Sequence, residues 1–285
     1  MVRFGWLKDA LIKASMPFYL IWLTINLVII RKPEVNGYKT AEIKQKLTVH
    51  KNVAFVPDIE TDLLKRRAKE LSTDGNKFTL NDILITAISK TIHDFLQTNT
   101  EDRTTKQTIM ACPFSLRRPP EALNDFEFDN NFAIVPLQLR LIDNMKTGIK
   151  LLNQDMNALK KSIEPIGLVY LIKIVMQLPE FLRAFILEDF CDKMTFGFSN
   201  VPGPKKTFVT AGYRAQSLGF IMPVGKSIVG SFSIISHADV VKVGVTMDKA
   251  VMKDPKIIMK TLLENLDEVL GGEKWRDYGK QRGIK

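Results

Sequence analysis

The chain has 285 residues, 45% hydrophobic, 25% charged and 9% aromatic, which allows one large domain or two smaller ones with a sizeable core. Its 13 Pro and 16 Gly are too few for a fibrous or low-complexity chain. The formal charge of +10 favours anionic contacts, but the basic residues are spread along the chain with no zinc-finger or RNP signature, so lipid headgroups and phosphorylated ligands are the expected partners and nucleic acid is not.

Residues 14–30 form the most apolar stretch, preceded by Lys8 and Lys13 and followed by Arg31, Lys32 and Pro33. Seventeen helical residues rise about 26 Å against a hydrocarbon core of about 30 Å. With Tyr19 and Trp22 the segment reads as a membrane-inserted or interfacial anchor, occupying residues 1–32, with a buried helix as the alternative. Residues 33–50 read as a polar linker, 51–272 as the main domain and 273–285 as a basic tail.

Within the main domain, residues 51–56 read as a strand leading into a helix opened by Asp58, with Ile59, Leu63, Leu64, Ala68 and Leu71 on one face. Thr79 and Asp82 stand three apart before an apolar run, the spacing of a capping box, and Ile83, Leu84, Ala87, Ile88, Ile92 and Phe95 follow at helical intervals. His93 lies off that stripe. Segments 107–116 and 131–142 read as strands, and Met145, Ile149, Leu152, Met156, Leu159 and Ile163 mark a long amphipathic helix whose stripe is core packing. The run 166–178 is apolar nearly all round and breaks at Pro179.

From residue 194 the period switches to two. Strands are expected at 194–201 and 207–213, then as a hairpin whose turn is His237, Ala238 and Asp239, with His237 at the turn. The last helix takes Asp254 as N-cap and Pro255 at its first position, turns Ile257, Ile258, Leu262, Leu266, Val269 and Leu270 inward, and stops at Gly271 and Gly272. Cys112 and Cys191 have no neighbouring His or second Cys, so neither a metal site nor a disulfide framework is readable.

The chain has no GxxxxGK[ST], GxGxxG or GxSxG. What remains is an ordered set of short motifs: Leu80-Asn81-Asp82 opening a helix, Cys112-Pro113-Phe114-Ser115-Leu116-Arg117 ending a strand, Asn130-Asn131-Phe132 beginning another, and FSNVPGP at 198–204. Ser236, Asp248 and Asp254-Pro255 follow. This set resembles the C-terminal domain of the bifunctional wax ester synthase/diacylglycerol acyltransferase family, over roughly residues 50–272.

The resemblance implies an α/β, chloramphenicol-acetyltransferase-like lobe, a mixed sheet flanked by helices. In the family two such lobes enclose a channel in which acyl-CoA and an alcohol acceptor meet, and the base is the first His-bearing lobe's HHxxxDG. No His-His pair exists here, and none of His50, His93 or His237 has Asp four positions later followed by Gly. The resemblance therefore implies a lobe without a catalytic residue of its own, needing an N-terminal lobe or companion subunit for transfer from acyl-CoA to diacylglycerol or a long-chain alcohol. The rival reading is a non-catalytic scaffold or lipid-binding subunit that kept the fold.

Read for their own chemistry, Asn81 and Asp82 can cap free amides. Ser115 and Arg117 can line a cleft, Arg117 holding a phosphate of acyl-CoA or standing at the surface. Ser199, Asn200, Pro202 and Gly203 make a rigid loop that the resemblance places beside the channel, as it does Asn131. Acyl-CoA enters as substrate, with no resident cofactor or metal, and the expected location is the cytosolic face of the endoplasmic reticulum or plasma membrane.

Overall fold

The computed structural model describes residues 6–26, 32, 34–73, 75–115, 132–225, 227–252 and 254–277, with backbone only at 6–13 and 273. Its centre is a seven-stranded mixed sheet. Strands β1 (Lys51–Phe55), β2 (Ile59–Glu60), β3 (Gln107–Ser115), β4 (Phe132–Arg140), β5 (Phe196–Val201), β8 (Gly230–His237) and β9 (Val240–Asp248) lie in the order β1-β9-β8-β5-β3-β4, with β2 also on β9. A separate two-stranded ribbon joins β6 (Val209–Thr210) to β7 (Tyr213–Arg214). Strands β3, β5 and β8 run parallel, and the β1–β9, β8–β9 and β3–β4 pairs antiparallel.

One face of the sheet carries the core. Met110, Phe196, Phe198, Phe232, Ile234, Val241, Val243, Val245 and Met247 alternate inward and meet helices α3 (Thr61–Leu71), α4 (Leu80–Asn99), α5 (Met145–Lys161) and α8 (Lys256–Leu270). Each fully buried aromatic or aliphatic side chain of this kind contributes about 1.5–3 kcal/mol. The other face is covered by the extended chain between β7 and β8. Ser231 Oγ donates to the Met222 carbonyl (3.2 Å) and Ser233 Oγ to that of Phe220 (2.8 Å), while Met222 and Ile228 pack on Ala111.

The capping box is present: the Asp82 carboxylate accepts from Thr79 N and Oγ1, both at 2.7 Å. α8 ends at Gly271 with φ 84°, the left-handed value glycine tolerates. The apolar run at 166–178 is helix α6 (Glu164–Val175), which breaks before α7 (Glu180–Asp192) at Pro179. Helix α1 (Trp6–Thr24) packs on α6, with Leu23 buried beside Gly167, Leu168 and Val169, so that part of the 14–30 stretch has a buried face; residues 27–30 lie outside the described residues. Among the described residues no helix is long and apolar enough to cross a membrane.

Several expectations are corrected. Asp58 does not open a helix: it is 3% exposed, takes Lys242 (2.5 Å) and Ser217 (2.9 Å), and the two residues after it form β2, so α3 begins at Thr61. The 33–50 stretch buries Tyr38 and Leu47 in the main core and Lys39 beside it, so it is part of the domain and not a linker. The 207–213 segment folds back on itself as the β6–β7 ribbon, because Ala211 and Gly212 both adopt positive φ. Ile257 faces solvent. In the tail, Trp275 is buried and its Nε1 donates to Asp267 (2.9 Å), which also binds Arg276; residues 278–285 lie outside the described residues.

Candidate functional site

Parallel strands end with their carbonyl ends at one edge of a sheet, where loops are free to carry ligand groups. Here that edge receives the ends of β3, β5 and β8. Strands β5 and β8 stay paired to Val201↔Ile235, whereas β3 pairs with β5 at Met110↔Phe196 and Ala111↔Gly197 and beyond that only with β4, through Ser115↔Phe132. The sheet therefore divides at this edge: β3 and β4 leave on one side, β5 and β8 on the other.

The sequence-predicted residues gather on the two sides of the division. Asn81, in the first turn of α4, accepts a 2.6 Å hydrogen bond from Asn200 Nδ2, which ties the helix start to the end of β5 at the solvent boundary. Asp82 is buried and serves as the cap. Ser199 is buried on the opposite face of β5, in register with Ser233. Ser115 ends β3 and is exposed. Arg117 and Asn131 lie outside the described residues.

After Asn200 the loop is clipped to β8. Gly203 N donates to Ser236 Oγ (3.2 Å) and Ala238 N to the Pro204 carbonyl (2.8 Å). A Cβ at Gly203 would lie 1.9 Å from the Ser236 carbonyl oxygen, so only glycine allows this approach. Pro202 and Pro204 fix φ on either side. The motif is thus a rigid lip on β8, as its composition predicts.

His237 departs from expectation. It is the last residue of β8, paired with Val240, so the turn is Ala238-Asp239 alone. The ring is 1% exposed, neither nitrogen has a hydrogen-bond partner, and Phe208 lies edge-on at 5.5 Å. A buried imidazole without partners is costly. Nothing in the local sequence signals it, because the period-two pattern cannot tell the last strand residue from the first turn residue. The other histidines are elsewhere: His50 is exposed, and His93 on α4 contacts Asp94 at 3.1 Å.

Asp248 belongs to the far edge. It is fully buried, binds Lys51 Nζ (2.7 Å) and accepts from Thr48 N (2.9 Å) and Ala250 N (2.8 Å), so it fixes β1 to β9 and is remote from the lip. Burial pushes the Cys112 thiol up to about 12, which makes it inert. Among the described residues no cluster of three or more His, Cys, Asp or Glu could hold a metal.

A mixed sheet with helices on one face, dividing at the carbonyl ends of its parallel strands, defines a chloramphenicol-acetyltransferase-like fold. Solved structures of this fold are similar across most of the chain. They include a wax ester synthase/diacylglycerol acyltransferase from Marinobacter aquaeolei VT8 (13% identity, TM-score 0.56, covering 90% of this chain and 57% of that one). Trichothecene 15-O-acetyltransferase from Fusarium sporotrichioides matches with 12% identity and TM-score 0.56, over 90% of this chain and 52% of that one. The epimerization domain of the third module of tyrocidine synthetase B matches with 14% identity and TM-score 0.52, over 95% and 59%. The chain thus spans little more than half the length of these structures. No curated protein matches it in sequence. Residues 129–269 match the family model of the WS/DGAT C-terminal domain.

Proposed function

We propose that the chain is the second lobe of an O-acyltransferase that moves acyl groups from acyl-CoA to diacylglycerol or a long-chain alcohol. The family match over residues 129–269 carries this reading, and the lip at 199–204 beside the divided sheet supports it. Esterification needs a base near the acceptor hydroxyl and a group that stabilises the developing oxyanion. The 285 residues contain no HHxxxDG, so in this reading the base comes from a first lobe outside them. A non-catalytic scaffold is the rival, favoured by that same absence.

In the same proposal the protein works at a membrane surface on the cytosolic side. On α1, Phe18 (76% exposed), Ile21 and Trp22 (54%) stand at the i, i+3 and i+4 positions of one helix face, opposite the face packed on α6, and Ile25 is exposed just past the helix end. Phe181 and Phe185 add a second exposed pair on α7. Such apolar rows suit an interfacial helix, which enters the headgroup region without spanning it.

The test is expression in a neutral-lipid-deficient cell, alone and together with an HHxxxDG lobe, followed by lipid analysis. The proposal expects ester only in the second case. Ester formed by the chain alone and abolished by His237→Ala would overturn it, since His237 would then be the base.

A further inference from the structure

The ribbon that follows the lip has an unusual charge. Between Lys193 and Ala238 the chain carries five cations, Lys193, Lys205, Lys206, Arg214 and Lys226, and not one Asp or Glu. Lys193 is committed to Asp189 (2.5 Å). Lys205, Lys206 and Arg214 are exposed, and none is held by a carboxylate among the described residues. Their carrier is short and stiff. The lip holds its root through Gly203 and Pro204, Ala215 N donates to the Phe208 carbonyl (2.9 Å), and Ala211-Gly212 close the turn at φ 50° and 81°. At its base Phe208 covers the unpartnered ring of His237, which places the ribbon over the carbonyl end of β8. Tyr213 is 81% exposed, its ring free on the ribbon's surface.

Cations without partners on a rigid element attract a multiply charged anion, and an exposed aromatic ring beside them offers a stacking face for a base. We propose that the β6–β7 ribbon, with Lys205, Lys206 and Arg214, holds the phosphates of coenzyme A, and that Tyr213 stacks on its adenine. This rests on the acyl-CoA reading above. It assigns the nucleotide end of that substrate to the side of the division formed by β5 and β8, leaving the division itself for the acyl thioester. The exposed apolar rows of α1 and α7 lie apart from the ribbon, since α1 is attached through α6 to β4 and β4 stands three strands from β8; Val209 and Phe208 are exposed on the ribbon as well, so a lipid surface is the competing outcome that the test separates.

The test is calorimetric titration of the full chain with coenzyme A and with dephospho-coenzyme A. The wild-type chain should bind coenzyme A more tightly, with an affinity that falls as salt is raised. Lys205→Gln/Lys206→Gln/Arg214→Gln should weaken coenzyme A by about tenfold or more and remove the preference over the dephospho form. The control Lys146→Gln/Lys150→Gln/Lys249→Gln, which removes equal charge at exposed positions elsewhere, should leave both intact. Wild-type binding unchanged in the ribbon variant overturns the proposal and leaves the acyl-CoA reading standing. Equal weakening in the control overturns it in favour of diffuse attraction. No coenzyme A binding by the wild-type chain overturns both readings, and capture of anionic phosphatidylserine vesicles by the ribbon in that case makes it a membrane element.

Discussion

The two ends of the parallel strands are built on opposite principles. At the amino end the polar groups around Glu34 and Lys39 are answered by one another, although Thr246 Oγ1, opposite Ser231, is not. Glu34 accepts from Ile109 N (2.9 Å), Thr108 and Thr195; Asn36 donates to Thr195 (2.9 Å) and accepts from Lys39 N; Lys39 Nζ donates to the carbonyls of Asp192 and Met194 (2.9 and 2.7 Å). At the carbonyl end the sheet divides, and His237 is left without partners beneath the lip and ribbon. Satisfied polar networks rigidify, and unsatisfied ones mark places where a ligand or neighbour completes the structure. The difference supports the carbonyl end as the place of the proposed site.

The comparison can be broken most strongly at the closed end. Asp248→Ala would strand Lys51, whose side chain is 11% exposed, and should cost about 3 kcal/mol or more in a denaturant titration. A loss under about 1 kcal/mol would show that the pair is solvated.

Gly203→Ala should cost about 2 kcal/mol, since the new methyl meets a backbone oxygen and the lip must leave β8. The loss should appear as faster amide exchange at 202–204 and 236–238, with α8 unaffected. A variant as stable as the parent would show that the lip has room to shift.

Lys39 sharpens the contrast through pH. Burial holds its ammonium down at about 8, against 10.5 for a free lysine. The folded chain therefore gives up this proton before the unfolded chain does, binds fewer protons between those values, and gains stability as pH rises through that window. The gain from about pH 7.5 to about pH 9 should be about 1 kcal/mol relative to Lys39→Met, measured by urea titration at each pH. Parallel curves for the two proteins would show Lys39 to be solvated. The smallest effect belongs to Asn200→Ala, which removes a solvent-facing bond to Asn81 and should change stability by no more than about 1 kcal/mol.

The sequence makes much of this architecture legible, and unevenly. The capping box at Thr79–Asp82, the stripe of α5 and the glycine stop of α8 are local devices, so spacing reveals them. The packing of Tyr38 against Phe95 and Phe196 is not local: a polar-looking stretch enters the core through contacts far away in the chain. Asp58 shows the same limit, because its partner Lys242 is distant and its role depends on β2 pairing with β9. Of the site, the rigidity of residues 199–204 is readable from two prolines and a glycine. The Asn81–Asn200 contact and the isolation of His237 are consequences of topology and have no signature in either segment.

The central claim is that the carbonyl end of β3, β5 and β8 receives the acyl-CoA substrate. Hydrogen–deuterium exchange of the full chain with and without a long-chain acyl-CoA tests it most directly. The account predicts slower exchange at 198–203, 209–214 and 236–238, and no change at 34–39. Protection confined to other surfaces, with the lip and ribbon exchanging as before, would contradict it.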